Sequence, residues 1–244
     1  MSKTVIITGG SGGIGSACAL ALSREGYHIA LGYHKNKESA ERISSEISAL
    51  GGVCHPIQAD LSTFAGGQTL ARESIRLLGE IHSLVCCAGS AHFGLLTHLS
   101  DEDWHSILGD NLHSAFYAIR GVLPSMVARQ QGSIVTVSSV WGQTGASCEV
   151  AYSAAKAGVI GLTKGLAKEV GPSHIRVNCV AAGVIDTEMN GSLSAETLSE
   201  LAEETPLGRI GTPHEVASVV AFLVSEQSSF MTGQILSPNG GFYV

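Results

Sequence analysis

The sequence is poor in charge, and the charge that it has is mostly acidic. Only 14% of its 244 residues are Asp, Glu, Lys or Arg, and the formal net charge is −7. Proteins that bind nucleic acid or an anionic membrane surface usually present a basic face, so the composition argues against both partners. No apolar run approaches the ~20 residues of a membrane-spanning helix, so no membrane segment is predicted.

Paired metal ligands and a disulfide framework are also missing from the sequence. Its six cysteines and ten histidines are scattered, and none has the spacing Cys-x-x-Cys or His-x-x-x-His. A metal site is therefore not predicted. Scattered thiols without a disulfide pattern indicate a reducing compartment. Met1-Ser2-Lys3 runs straight into an apolar segment without a signal peptide, so a cytoplasmic location is expected.

Short apolar segments alternate with helix-like segments along the whole chain, which predicts an α/β fold. We expect one domain over residues 1–244, with a Rossmann-like, doubly wound parallel sheet of about seven strands and helices on both faces. Strands are predicted at 4–8, 28–32, 53–59, 83–87, 133–137, 175–180 and 234–236. Helices are predicted after the first strand and over 36–50, 66–78, 101–128, about 152–170 and 214–224, the fourth interrupted near Gly109 or Pro124. Residues 184–213 are predicted to be irregular and to contain a substrate lid.

A glycine-rich turn follows the first predicted strand. Gly9, Gly10, Gly12, Gly13 and Gly15 lie between that strand and a helix-like segment. In the order strand, glycine turn and helix, such a turn lets the backbone approach a pyrophosphate, which the helix N-terminus then binds. The pattern therefore predicts a dinucleotide site at the carboxyl end of the first strand.

Tyr152 and Lys156 lie four residues apart on a predicted helix, so their side chains share one face. A neighbouring ammonium favours the phenolate and lowers the pKa of a tyrosine, which lets the phenol exchange protons near neutral pH. Taken alone, the spacing also fits a packed tyrosine beside a solvated lysine. Ser139 lies thirteen residues before the tyrosine, and this spacing favours Ser139 over its neighbour Ser138 as a third member of the set.

With these motifs in order, the chain resembles the short-chain dehydrogenase/reductase family along essentially its full length. The resemblance also includes Asp60-Leu61 after strand three, Ala88-Gly89 after strand four and Asn111 in the long helix. It implies an oxidoreductase in which Ser139 binds the substrate carbonyl and Tyr152 donates the proton. It further implies that Lys156 lowers the pKa of Tyr152 and holds the nicotinamide ribose, while Asn111 positions a water for proton relay.

The resemblance and the glycine turn together imply a set of cofactor-binding residues. These are Thr8, Gly9, Ser11, Gly13, Ile14, Gly15, Tyr33, His34, Lys35, Lys37, Asp60, Leu61, Ala88, Gly89, Tyr152, Lys156, Gly183, Ile185 and Thr187. The chain departs from the family pattern at Cys86-Cys87, where two asparagines are usual, and at Ala182-Gly183, where Pro-Gly is usual. Both departures predict local loosening of the backbone rather than a change of chemistry.

The end of the second strand indicates which dinucleotide is used. An acidic side chain there would bind the ribose 2′-hydroxyl of NAD, but this chain has Tyr33-His34-Lys35-Asn36-Lys37. His34, Lys35 and Lys37 can instead bind a 2′-phosphate, which favours NADP(H). The alternative interpretation is that the two lysines only solvate the start of a helix.

The substrate and the assembly are predicted mainly from the resemblance. The C-terminal segment 237–244 is similar to that of 3-oxoacyl-[acyl-carrier-protein] reductases, which implies NADPH-dependent reduction of a 3-oxoacyl thioester. Basic side chains at the active-site mouth would bind the acidic carrier, and Arg129 and the stretch His174–Arg176 are the candidates. The alternatives are a reductase of free ketones, polyols or other small carbonyls, and a cofactor-binding regulator without catalysis. A homotetramer built on the two long helices is expected.

Overall fold

The computed structural model describes residues 3–191 and 194–244, which form seven strands and nine helices. The strands are β1 (Thr4–Thr8), β2 (His28–Tyr33), β3 (Cys54–Gln58), β4 (Ser83–Cys86), β5 (Gly132–Ser139), β6 (Ile175–Ala182) and β7 (Ile235–Leu236). The helices are α1 (Gly13–Arg24), α2 (Lys37–Ala49), α3 (Phe64–Leu78), α4 (Asp101–Leu108), α5 (Ser114–Arg129), α6 (Trp141–Thr144), α7 (Val150–Val170), α8 (Ala195–Glu204) and α9 (Pro213–Val224). Ser192 and Leu193, in the middle of the predicted lid, lie outside the described residues.

All seven strands form one parallel sheet in the order β3-β2-β1-β4-β5-β6-β7. The order reverses between β1 and β4, as it does in doubly wound folds. Every residue of β1, β4 and β5 is buried. The prediction of a single-domain, Rossmann-like α/β fold is therefore confirmed.

Two hydrophobic cores lie on opposite faces of the sheet. Alternate residues of β1 point into different cores, with Val5 and Ile7 in the first and Ile6 in the second. Helices α1, α2 and α9 cover the first face, and α3, α5 and α7 cover the second. Because both faces are covered, the strands read as continuous apolar runs rather than alternating ones.

The sequence-based prediction was wrong for part of residues 184–213. This segment is not wholly irregular, because α8 occupies 195–204. Ser194 caps the helix by accepting a hydrogen bond from the backbone N–H of Thr197 at 3.1 Å. Ser194 as cap residue and Glu196 in the first turn are the sequence signals that favour this helix.

The long helix predicted over 101–128 is interrupted at one of the two expected positions. Residues Gly109–His113 form a π-helical turn between α4 and α5, in which the N–H of Ser114 donates to the carbonyl of Gly109. Pro124 lies inside α5 without ending it. A π turn inside a helix is uncommon and often marks a functional site.

The two ends of the strands define two edges of the sheet. We call the edge where the strands end the carboxyl edge, and the edge where they begin the amino edge. Ligands of doubly wound folds bind at the carboxyl edge. Within the described residues, no helix is long and apolar enough to cross a membrane.

Candidate active site

Three adjoining cavities follow the carboxyl edge and together form one cleft. We name them by position: the β2 pocket of about 340 Å³, the central pocket of about 460 Å³ and the β5 pocket of about 240 Å³. Gly9, Ser11 and Gly89 line both the β2 and the central pocket, and Ile14 and Thr187 line both the central and the β5 pocket. The cleft therefore runs without interruption from the end of β2, past the glycine turn, to the end of β5.

The glycine turn forms the floor of the central pocket. Gly9 has a φ of +63°, and a Cβ on it would lie 2.7 Å from the backbone nitrogen of Ala88, so only glycine fits there. Helix α1 starts after Gly12, and among the described residues neither a capping side chain nor an acidic residue occupies its first turn. Its free N–H groups and its dipole consequently suit a phosphate group.

The β2 pocket contains most of the residues predicted for the adenosine end of the cofactor. Tyr33, His34, Lys35, Asp60 and Leu61 all line it. This places one lysine and one histidine beside the space that follows β2.

Lys37 differs from these residues, because it does not line the β2 pocket. It begins α2, and its ammonium pairs with Glu41 one turn later, at 3.4 Å. For Lys37, the structure therefore favours the alternative interpretation of a solvated helix start.

The carboxylate of Asp60 is held in its ionised form at the end of β3. It accepts hydrogen bonds from the hydroxyl and the N–H of Ser62 at 2.7 and 3.0 Å. The hydrogen bond from the Ser62 side chain, with smaller contributions from His34 and Lys35, lowers the pKa of Asp60. One carboxylate oxygen thus has fixed partners, while the residue still lines the β2 pocket.

Ser139, Tyr152 and Lys156 line the β5 pocket together. Tyr152 and Lys156 lie one turn apart on α7, with the Lys156 ammonium 5.5 Å from the centre of the Tyr152 ring. Nζ of Lys156 donates to the carbonyl of Val137 at 3.1 Å. The Ser139 hydroxyl, at the end of β5, accepts from the N–H of Trp141 at 3.1 Å.

The pKa values of the pair differ from the expectation drawn from the sequence. Burial raises the pKa of Tyr152 to about 12, with a smaller upward contribution from Glu149 and an opposing hydrogen bond from Ser139. Burial lowers the pKa of Lys156 to about 8. The raised pKa of Tyr152 therefore follows mainly from its burial, and the lowering by Lys156 that the resemblance implies is not seen in this state.

Asn111 lies behind the β5 pocket, in the π turn. Its amide nitrogen donates to the carbonyls of Ser90 and Ile107, both at 2.9 Å. Its buried oxygen Oδ1 has no hydrogen-bond partner among the described residues. A Cβ on Gly89 would lie 2.5 Å from this Oδ1 and 3.2 Å from Nζ of Lys156, so an acceptor and an ammonium converge on one side of Gly89.

The junction at Cys86-Cys87 is held by a side chain from the neighbouring strand. The Thr8 hydroxyl accepts from the N–H groups of Cys87 and Ala88, each at 3.1 Å. Thr8 is fully buried and does not itself line the cleft. The expected loosening at this junction is therefore not seen, because the Thr8 hydroxyl fixes the backbone of Cys87 and Ala88.

The turn after β6 is also held in place. The N–H of Gly183 donates to the carbonyl of Pro238 at 3.2 Å, and a Cβ on Gly183 would lie 2.7 Å from Asn239. Gly183, Ile185 and Thr187, which the resemblance implies as contacts of the cofactor, all line the β5 pocket.

Several lining residues of the β5 pocket were not predicted from the sequence. They come from the loop after β4, the N-terminus of α7 and the lid, and are Ala91, Phe93, Glu149, Met189, Asn190, Thr197 and Leu201. Four of the seven are apolar and suggested no chemistry, and the presence of Glu149 in the pocket does not follow from its residue type. The position of these residues in the chain could have indicated that they line the pocket, because loops after strand ends line the ligand sites of this fold class.

The basic residues expected at the active-site mouth lie elsewhere. Arg129 and Arg176 line a cavity of about 750 Å³ at the amino edge, because they precede β5 and begin β6 respectively. Arg129 donates to the carbonyl of Ile81, and Arg176 donates to carbonyls at the end of α9. Within one chain, Arg129 and Arg176 therefore do not lie at the mouth of the cleft, and their role in binding a carrier stays a prediction.

The fold and the cleft together define a dinucleotide-binding oxidoreductase domain. Residues 9–243 match a family model described as enoyl-(acyl carrier protein) reductase. The chain belongs to the short-chain dehydrogenase/reductase family. Among the described residues, no group of three or more His, Cys, Asp or Glu side chains could hold a metal ion.

Relatives cover the chain from end to end. An uncharacterized oxidoreductase YmfI of Bacillus subtilis is 42% identical over 244 residues, which is 100% of both chains. The 3-oxoacyl-[acyl-carrier-protein] reductase FabG of Staphylococcus aureus is 37% identical over 244 residues, which is 100% of this chain and 99% of the relative. The enzyme of the same name from Chlamydia pneumoniae is 37% identical over 241 residues, or 99% and 97%.

Proposed function

We propose that this protein is a cytoplasmic, NADPH-dependent reductase that converts a 3-oxoacyl thioester on acyl carrier protein to the 3-hydroxyacyl form. One observation carries the proposal: Ser139, Tyr152 and Lys156 line a pocket that is continuous with the glycine turn. The lining of the pocket is largely apolar, which suits an acyl chain. Relatives named as 3-oxoacyl-[acyl-carrier-protein] reductases support this substrate class.

The residues of the cleft fit a nicotinamide dinucleotide along its length. N–H groups at the start of α1 would bind the pyrophosphate, and Asp60 and Leu61 would bind the adenine. Gly89 and Lys156 would contact the nicotinamide ribose, and Thr187 the carboxamide. Ala88 completes the wall of the β2 pocket. The bound cofactor supplies the hydride.

Tyr152 is the proton donor in this proposal. Because burial raises its pKa to about 12, the phenol is protonated at neutral pH and can act as an acid in the direction of reduction. The Ser139 hydroxyl donates a hydrogen bond to the substrate carbonyl oxygen and orients it. Lys156 and Oδ1 of Asn111 can bind one water between them, which would return a proton towards Tyr152.

We propose NADP(H) as the cofactor on the basis of His34 and Lys35 at the β2 pocket. A 2′-phosphate carries close to two negative charges, so we expect kcat/KM to favour NADPH by about 10- to 1000-fold at low salt. Added salt should reduce this preference, because the site is open to solvent. Tyr33→Asp should reverse much of it, since a carboxylate repels the phosphate and accepts from a free 2′-hydroxyl. Equal wild-type efficiency with NADH and NADPH would reject the assignment.

The substrate class is tested by oxidation of NADPH with matched carbonyl compounds. We expect higher kcat/KM with acetoacetyl groups on acyl carrier protein or coenzyme A than with a panel of free ketones. The opposite order would favour the second candidate, a reductase of small free carbonyls. That candidate is favoured by the unpaired Glu149 in the β5 pocket and by the position of Arg129 and Arg176 at the amino edge.

A regulator that binds the cofactor without catalysis is the third candidate. It requires no turnover with any carbonyl substrate, although the cofactor would still bind. Measured oxidation of NADPH above the rate of a Tyr152→Phe protein would exclude it.

We further propose a homotetramer. Helix α7 exposes a row of small residues, Ala154, Ala157, Gly161 and Gly165, against which a partner helix can pack closely. Phe116 on α5 is 41% exposed, so it offers an apolar side chain to a partner helix. Light scattering should give the mass of four 25.2-kDa chains, and the mass of one chain at micromolar concentration would reject the proposal.

A further inference from the structure

Glu149 is the only carboxylate among the described residues that line the β5 pocket. It lies at the N-cap position of α7, three residues before Tyr152, and is partly buried. Its side chain does not cap the helix, and no described cation offsets its charge. A partly buried carboxylate without a partner is costly, so its position in a pocket calls for an interaction with what the pocket binds.

The charge of Glu149 acts on the side chains that are proposed to react with the substrate. Burial raises the pKa of this carboxyl, and its charge in turn contributes to the raised pKa of Tyr152. A substrate whose carbonyl lies against Tyr152 and Ser139 therefore lies within the field of Glu149. Lys156, the one basic side chain among the described residues that line the pocket, already donates to the carbonyl of Val137.

We propose that Glu149 selects substrates by charge, favouring a carbonyl compound with a cationic substituent over a neutral one, and a neutral one over a carboxylate. The inference rests on the proposed function only in that the carbonyl is taken to bind at Ser139 and Tyr152. A neutral acyl thioester is accepted under this rule, whereas the corresponding free 3-oxo acid is excluded. Specificity then arises from repulsion as well as from fit.

The test uses three ketones that share a six-membered ring. The first has a quaternary ammonium opposite the carbonyl, the second is cyclohexanone itself, and the third has a carboxylate opposite the carbonyl. With the wild-type protein and reduced cofactor, we expect kcat/KM for the cation to exceed that for the anion by about 10- to 100-fold. Where turnover is too slow to measure, dissociation constants from calorimetry should show the same order.

Variants separate charge selection from other effects. Glu149→Gln removes the charge with little change of shape. It should reduce the ratio of kcat/KM for the cationic ketone to kcat/KM for the anionic ketone to about threefold or less. Its effect on the Tyr152 pKa applies equally to all three ketones, so the ratio isolates the contact with the substrate. Glu149→Asp keeps the charge and should keep the order. Glu196→Gln removes a charge from the exposed first turn of α8 and should leave the ratio unchanged.

The outcomes are distinct from those that test the substrate class. Charge selection by Glu149 would be overturned if the wild type showed the same kcat/KM for all three ketones. It would also be overturned if the order of kcat/KM persisted in Glu149→Gln, or if the wild type had no measurable affinity for the cationic ketone. Failure with 3-oxoacyl thioesters while the charge order holds would reject the proposed substrate and leave the role of Glu149 intact.

Discussion

The two edges of the sheet use their polar side chains in opposite ways. At the amino edge, the guanidinium of Arg176 donates to carbonyls of Leu223, Val224 and Ser225 and to the Ser228 hydroxyl. At the carboxyl edge, Oδ1 of Asn111 has no partner among the described residues, and the carboxylate of Glu149 is unpaired there as well. The amino-edge cavity, of about 750 Å³, is larger than any one of the three pockets of the cleft, although the Arg176 guanidinium beside it has all these partners. Unused hydrogen-bonding capacity, rather than volume, therefore marks the functional edge of this molecule.

The largest effect should come from removing the proton donor at the carboxyl edge. Tyr152→Phe keeps the packing of the ring but removes the hydroxyl, so we expect kcat to fall by at least ~10²-fold with little change in melting temperature. Tyr27→Phe is the matched control, because Tyr27 is buried beside the amino-edge cavity and should leave kcat unchanged. Near-wild-type turnover by purified Tyr152→Phe would show that Tyr152, at the carboxyl edge, is not the proton donor.

Removing the hydrogen bonds of Arg176 at the amino edge should instead lower the free energy of unfolding. Arg176→Ala leaves several carbonyls at the end of α9 without a donor, so we expect the free energy of unfolding to fall by about 2–3 kcal/mol. The folded variant should keep its kcat. Urea denaturation and steady-state rates check both parts, with the exposed Arg42→Ala as a control expected to change stability by less than about 0.5 kcal/mol. A large loss of kcat in folded Arg176→Ala would show that the two edges are coupled.

The buried ammonium at the carboxyl edge should make stability depend on pH. The pKa of Lys156 is about 8 in the folded protein against 10.5 for the free side chain, so between these values the unfolded chain binds more protons. The free energy of unfolding contributed by this group must therefore rise with pH in that window. Relative to Lys156→Met, the wild type should gain about 1–2 kcal/mol between about pH 7 and pH 9.5.

That difference is measured by urea denaturation of both proteins without cofactor. Groups that do not interact with Lys156 should titrate alike in the two proteins and cancel. A difference that stays constant with pH would mean that the ammonium is better solvated than its position suggests.

The smallest effect should distinguish two lysines that are two residues apart. Lys35 lines the β2 pocket, whereas Lys37 is paired with Glu41. Lys35→Ala should lower kcat/KM for NADPH by about 3- to 10-fold without changing that for NADH, because one exposed charge contact is lost. Lys37→Ala should change either value by less than about twofold. Equal losses of kcat/KM for NADPH in the two variants would indicate that Lys37 also binds the phosphate.

Much of this architecture could be predicted from the sequence, because the strands are long apolar runs and the glycine turn has a specific conformation. The sites of Gly9 and Ser139 follow from where those strands end, and those of Tyr152 and Lys156 follow from their spacing on the next long helix. What could not be predicted depends on distance in three dimensions. Nothing in the spacing shows that Arg129 lies at the far edge or that Glu149 reaches the pocket. The direction of the Tyr152 pKa shift depends on burial, which the i, i+4 spacing alone does not give.

The π turn at Gly109–His113 also affects how this chain can be altered by insertion or deletion. It contains one residue more than the α-helical path needs, so removing a residue there should let α4 and α5 join as one regular helix. The flanking helices would then keep nearly their present orientation, because a π turn takes up its extra residue locally and does not pass the ~100° advance of one residue on to the next helix. The change would be confined to the turn, where Asn111 donates to the carbonyls of Ser90 and Ile107. A single deletion here should therefore displace Asn111 while leaving the packing of α4 and α5 largely intact.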